Sequence, residues 1–86
     1  MKVLVIEDDT TILEVLKKGL TEAGFNVEGR ANGRDAFDLA LVEHYDLLIV
    51  DVMVPGKDGL SIIEDLRKRG NDTPALFLTA KRSIED

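Results

Sequence analysis

Glu7, Asp8 and Asp9 follow one apolar run, Asp51 ends a second, and Thr79 ends a third. If those runs are strands of a parallel sheet, their carboxyl ends share one rim, which is where ligands gather in such sheets. Three or more carboxylates crowded there repel one another. Without a cation at least one has a raised pKa; with Mg²⁺ the like charges become an oxygen-ligand site. The chemistry this suits is phosphoryl transfer: a carboxylate attacks and becomes an aspartyl-phosphate while a divalent ion holds the phosphoryl oxygens. Asp51 is the best-placed nucleophile, with Pro55, Gly56 and Gly59 shaping the loop beside it. Thr79 offers a hydroxyl that can swing toward a new phosphate. A plainer reading stands next to this one: Asp8 or Asp9 could cap a helix, and Asp51 could satisfy loop amides.

The elements that must position these residues follow from the hydrophobic pattern. Lys2 to Ile6 is a continuous β-branched run, as in a strand covered on both faces. Thr10 or Thr11 then caps a helix carrying Ile12, Leu13, Leu16 and Leu20, which Gly24 stops. Phe25 to Ala31 reads as a second, more exposed strand. Asn32-Gly33 turns the chain into a helix with Ala36, Phe37, Ala40 and Leu41 on one face. Leu47 to Val50 is a third strand ending at Asp51, and the loop from Val52 to Gly59 follows it. Leu60, Ile63 and Leu66 form the next helix face, Arg67-Lys68-Arg69 complements its dipole, and Gly70 ends it. Ala75 to Thr79 is the fourth strand, with Phe77 expected in the core. Strands alternating with helices at this spacing imply right-handed crossovers and a parallel α/β sheet.

Composition narrows the partners. The 86 residues carry 11 basic and 17 acidic side chains, a net charge of −6, and no cysteine. The chain is one small domain at most, without disulfides or thiolate sites, in keeping with a reducing cytoplasm. No apolar run approaches the roughly 20 residues that cross a bilayer, so no membrane segment is expected. The acidic balance disfavours direct nucleic-acid binding and favours a cation.

Three blocks bring a family into view: Val3-Leu4-Val5-Ile6-Glu7-Asp8-Asp9, Leu48-Ile49-Val50-Asp51-Val52-Met53-Val54-Pro55-Gly56-Lys57-Asp58-Gly59, and Leu76-Phe77-Leu78-Thr79-Ala80. In that order they resemble the receiver domain of bacterial two-component response regulators. The resemblance implies a flavodoxin-like doubly wound sheet with strand order 2-1-3-4-5. It implies Asp51 as phospho-acceptor and Asp8 as a direct Mg²⁺ ligand, with Mn²⁺ an alternative ion. Glu7 would act largely through water and the Met53 main-chain carbonyl would complete the shell. Thr79 matches the switch hydroxyl and Ala80 the small residue beside the phosphoryl group. The partner it implies is a sensor histidine kinase. The Glu-Asp pair, with Met53 and Pro55, looks most like transcription regulators carrying a winged-helix DNA-binding domain.

The family pattern continues past this sequence with another helix, a lysine-bearing fifth strand and a final helix. Residues 1–86 therefore read as an incomplete receiver domain, and the Ser83 to Asp86 stretch has the pattern of a helix start. Lys81 reads as a solvated loop residue and not as the family's lysine. Poor phosphoryl acceptance is one expectation, and self-association through the fourth strand is another, with apolar residues near Val3, Val5, Leu13 and Leu16 uncovered. The alternatives are a non-signalling fragment of the fold and an Mg²⁺-dependent aspartyl phosphatase. The phosphatase needs a general acid beside Asp51, which Val52-Met53 does not supply. Gly56-Lys57 lacks the rest of a phosphate loop, no Gly-x-Gly-x-x-Gly follows the first strand, and His44, the sole histidine, makes a poor zinc site.

Overall fold

The computed structural model describes residues 1–78, and it alternates strand and helix throughout: β1 (Lys2–Ile6), α1 (Thr10–Glu22), β2 (Asn26–Arg30), α2 (Gly33–Val42), β3 (Leu47–Asp51), α3 (Gly59–Lys68) and β4 (Ala75–Leu78). Every strand pair is parallel and the order is β2-β1-β3-β4. The expected doubly wound α/β sheet is therefore present, with β1 and β3 at its centre. Thr79, Ala80, Lys81 and the Ser83 to Asp86 pattern lie outside the described residues.

Alternation along β1 and β3 explains the two layers of core. Leu4, Ile6, Leu48 and Val50 point to one face, where Ala36, Phe37 and Ala40 of α2 and Ile62 and Leu66 of α3 cover them. Val3, Val5 and Ile49 point to the other, against Leu13 of α1. Each Val, Leu or Ile side chain of β1 and β3, taken out of water, contributes about 1.5–3 kcal/mol, so the central strands are the anchor for anything mounted on their ends. Val3 and Val5 are 0% exposed, and Leu16 packs at the edge of the same cluster. The expectation that this region lies bare is thus corrected: α1 closes over it.

Three helix details also differ from the sequence reading. Of the caps the sequence left open for α1, neither threonine is used and Asp9, the plainer reading, is: its Oδ1 accepts from the N–H groups of Thr11 and Ile12 at 3.0 and 3.1 Å. A carboxylate in extended backbone just ahead of the first turn is the better acceptor for those orphan amides. In α3 the face turns on Ile62 and Leu66, while Leu60 is exposed. Asp58 caps this helix, and the register it sets aims Ile62 inward. Ile12 and Leu41 likewise lie on the outer sides of their helices. Phe77 is not core: β4 is an edge strand among the described residues, with Phe77 40% and Leu76 58% exposed.

Candidate functional site

β1 does not stop at its last strand residue. The Glu7 N–H donates to the Arg30 carbonyl at 3.1 Å, continuing the ladder with β2 and holding the Glu7 side chain inside, at 4% exposure. The chain then turns, because the Asp9 N–H donates back to Glu7 Oε2 at 3.0 Å. Asp8 occupies the corner and is exposed. On the neighbouring strand, where Ile6 pairs with Val50, Asp51 is the last residue of β3 and is 6% exposed. One ligand oxygen from each of Glu7, Asp8 and Asp51 lies within 4.8 Å of the others. The sheet has brought together three of the four carboxylates singled out in the sequence, all but Asp9.

Crowding has an electrostatic cost. Burial pushes the Glu7 carboxyl above its usual range, and the neighbouring Asp51 and Asp8 carboxylates push it further, against the partial relief of the Asp9 amide. No ion pair reaches any of the three among the described residues. A hard divalent cation fits such a set. It takes carboxylate and carbonyl oxygens, and it would replace mutual repulsion between two buried carboxylates with attraction to a common centre.

The β3–α3 loop forms the side wall. The Met53 N–H donates to Asp51 Oδ1 at 3.1 Å, so the plainer reading of Asp51 as a loop-amide acceptor holds for one of its oxygens. Asp9, by contrast, spends its side chain on the α1 cap and stands outside the cluster. The Gly59 N–H closes the loop onto the Val52 carbonyl at 2.8 Å, and a Cβ on Gly59 would run into the Asp51 main-chain carbonyl. The far side of the loop rests on α2: the Gly33 N–H donates to the Pro55 carbonyl at 2.8 Å. Gly56, at φ 87°, sits against the Asn32 side chain, which itself caps α2. An open groove of about 610 Å³ runs from Asp8 past Met53 and Pro55 to Leu60. Thr79 and Ala80 lie outside the described residues.

Sequence reasoning missed what holds this loop. Asn32-Gly33 was readable as a turn, yet Asn32 is the α2 cap and Gly33 the first helical residue, pressed against the Lys57 carbonyl. Asp58-x-x-Ser61 carried an audible capping signal, and the Asp58 carboxylate accepts from both the Ser61 N–H and its hydroxyl at 2.9 Å.

Comparison with known proteins agrees with this geometry. The family model for the response regulator receiver domain matches residues 3–86. The probable transcriptional regulatory protein SilR of Salmonella typhimurium is 48% identical over 85 residues, a match covering 99% of this chain and 37% of that protein. The chain thus spans about 37% of the length of the curated relatives it matches. Among solved structures, the receiver domain of the Francisella response regulator 1452 superposes with a TM-score of 0.90 at 36% identity, covering 98% of this chain and 69% of that one. The response regulator TrrA of Thermotoga maritima, solved in complex with Mg²⁺-BeF, superposes with a TM-score of 0.86 at 35% identity, covering 93% of this chain and 70% of that one.

Proposed function

We propose, because this chain belongs to the response regulator receiver domain family, that Asp51 accepts a phosphoryl group from a sensor histidine kinase and that the rim around it is the switch. The observation that carries the reading is the placement of a nearly buried Asp51 carboxylate beside Glu7 and Asp8 at the end of a central strand. Asp8, Asp51 and the Met53 carbonyl would hold Mg²⁺ directly and Glu7 through water, with Mn²⁺ as a substitute. The ion supplies charge neutralisation for the transferred group.

The chain's own residues supply the rest. Met53 N–H fixes Asp51 Oδ1, which leaves the other oxygen to attack phosphorus as the phosphorus–nitrogen bond of a phosphohistidine breaks and its electron pair returns to the imidazole. The low exposure of Asp51 limits water near the acyl phosphate formed. Thr79 is assigned as the hydroxyl that turns toward the new group, and Ala80 as the small neighbour that leaves it room. This is a switch with self-phosphorylation and slow dephosphorylation chemistry. The residue two places after Asp51 is Met53, so no carboxylic acid stands where an aspartyl phosphatase needs one. We assign the parent protein to cytoplasmic transcription regulation; among the described residues no helix is long and apolar enough to cross a membrane. A second copy is the proposed partner for the β4 edge, where Leu76 and Phe77 are exposed, and nucleic acid is not a partner of this segment.

Mass spectrometry after incubation with acetyl phosphate and Mg²⁺ tests the assignment. One phosphoryl group should appear slowly on the wild-type chain, disappear with chelator and be absent in Asp51→Asn. Labelling that persists in Asp51→Asn overturns it. Sedimentation at micromolar concentration tests self-association: Leu76→Lys should dissociate the pair, and a wild-type monomer at every concentration removes that partner.

A further inference from the structure

Lys57 is an unusual lysine. It lies in the β3–α3 loop, but its side chain is only 16% exposed and its Nζ is 2.6 Å from Asp65 Oδ2 of α3, the least exposed ion pair among the described residues. The same ammonium stands 4.8 Å from the centroid of the Phe37 ring of α2, and the Arg69 guanidinium stands 5.5 Å from it. An ammonium on a side chain partly withdrawn from water gains from such a partner, and the aromatic face adds to the attraction. The Lys57 main chain is equally confined, because its carbonyl presses on Gly33 with no space for a Cβ. Two residues earlier the Pro55 carbonyl accepts the Gly33 N–H.

The other end of this short loop is the site. Val52 is tied to Gly59, and the Met53 N–H holds Asp51 Oδ1. From Met53 to Lys57 the chain contains Pro55, with its fixed φ, and Gly56 in a left-handed conformation at φ 87°. Little slack separates the two ends.

We propose that Lys57 is a positioning residue for the acceptor and metal site: its ammonium, clamped between the Asp65 carboxylate and the Phe37 ring, fixes the β3–α3 loop and through it the Met53 main chain and Asp51. The role in metal binding rests on the function proposed above; the role in fixing the loop does not. Lys57 touches no reacting atom, and its effect is on the population of the competent loop. Groups that orient metal ligands typically change metal affinity by about ten- to a hundredfold, and the clamp is expected at the lower end because it acts through several bonds.

The test compares Lys57→Met, Lys57→Arg, Asp65→Asn and the Lys57→Met/Asp65→Asn double variant by NMR. In Mg²⁺-free protein, Lys57→Met should shift the Met53 and Gly33 amide signals and speed their exchange. On titration with Mg²⁺ its Kd should rise about tenfold, Asp65→Asn should match it, and the double variant should add nothing, as members of one clamp do. Lys57→Arg, which keeps the charge, should return most of the affinity. If Lys57→Met does not fold, the Asp65→Asn and Lys57→Arg pair carries the same comparison. A folded Lys57→Met with wild-type amide signals and wild-type Mg²⁺ affinity overturns the inference, as does a loss of denaturant midpoint with affinity unchanged, which is packing alone. If the wild-type chain binds no Mg²⁺ while Lys57→Met still alters the Met53 amide, the metal reading fails and the positioning stands.

Discussion

The two ends of the sheet treat their charges in opposite ways. At the amino end, Lys2 Nζ pairs with Glu43 at 2.9 Å and lies 5.0 Å from the centre of the Tyr45 ring, the Lys2 N–H donates to Asp46 at 2.8 Å, and His44 Nε2 lies 3.4 Å from Asp46 Oδ1. The buried Tyr45 hydroxyl donates to Glu28 at 2.7 Å. At the carboxyl end, Glu7 and Asp51 are also buried, and among the described residues each accepts one main-chain N–H, from Asp9 and Met53. One end spends polar groups on closing the fold, and the other keeps like charges together. The difference separates stability from function within a single strand: Lys2 and Glu7 stand at opposite ends of the β1 ladder.

The comparison breaks most visibly at Tyr45. Tyr45→Ala should cost about 3–5 kcal/mol through the cavity it leaves, read from the denaturant midpoint. Tyr45→Phe, which removes only the hydroxyl, should cost about 1 kcal/mol. Asp8→Asn should do the reverse at the other end: Mg²⁺ affinity falls by at least the roughly ten- to a hundredfold that losing an outer-shell partner of a ligand costs, with no loss of stability in the metal-free chain. A large drop in metal-free stability would show that Asp8 serves the fold after all.

The pH dependence sharpens the same contrast, because the two ends should respond with opposite sign. The folded protein raises the Glu7 carboxyl, so its contribution is present below the ordinary carboxylate value and is lost as pH rises through the raised one. Glu7→Gln should remove that loss, and Mg²⁺ should offset it. Asp46 is held below its ordinary value, first by the Lys2 amide and then by His44. Its contribution is present above the ordinary value and is lost as pH falls through the lowered one, a dependence that Asp46→Asn should erase. Thermal unfolding across the acid range reads both, and slopes of equal sign would dissolve the contrast. The smallest effect belongs to Lys2→Met, about 0.2–1 kcal/mol in the same assay, since its pair with Glu43 is half in water.

Much of this architecture was readable from residue types. Unbroken apolar runs placed β1 and β3 at the centre, and the parallel topology then put Glu7, Asp8 and Asp51 on one rim with no further information. What escaped was set by single hydrogen bonds. Whether Asp9 or Thr10 caps α1 depends on one residue of backbone, and whether Leu60 or Ile62 faces inward depends on where Asp58 starts α3. Phe77 shows a different limit: an apolar residue in a strand is core only if something covers that strand. Lys57 was passed over with a failed phosphate-loop pattern, because its importance comes from Phe37 and Asp65, which the sequence places on two different helices.

The pairing of Ile6 with Val50 joins strands separated by half the chain. The acidic rim therefore does not exist in any partly folded form that has made only local helices and the β1–β2 pair. Such long-range contacts carry the largest loop-closure entropy and form slowly. A cation that needs both strand ends has nothing to grip until that closure is complete. Added Mg²⁺ should then lengthen the lifetime of the folded chain and leave its rate of formation unchanged, making the metal a clock for when the two central strands meet.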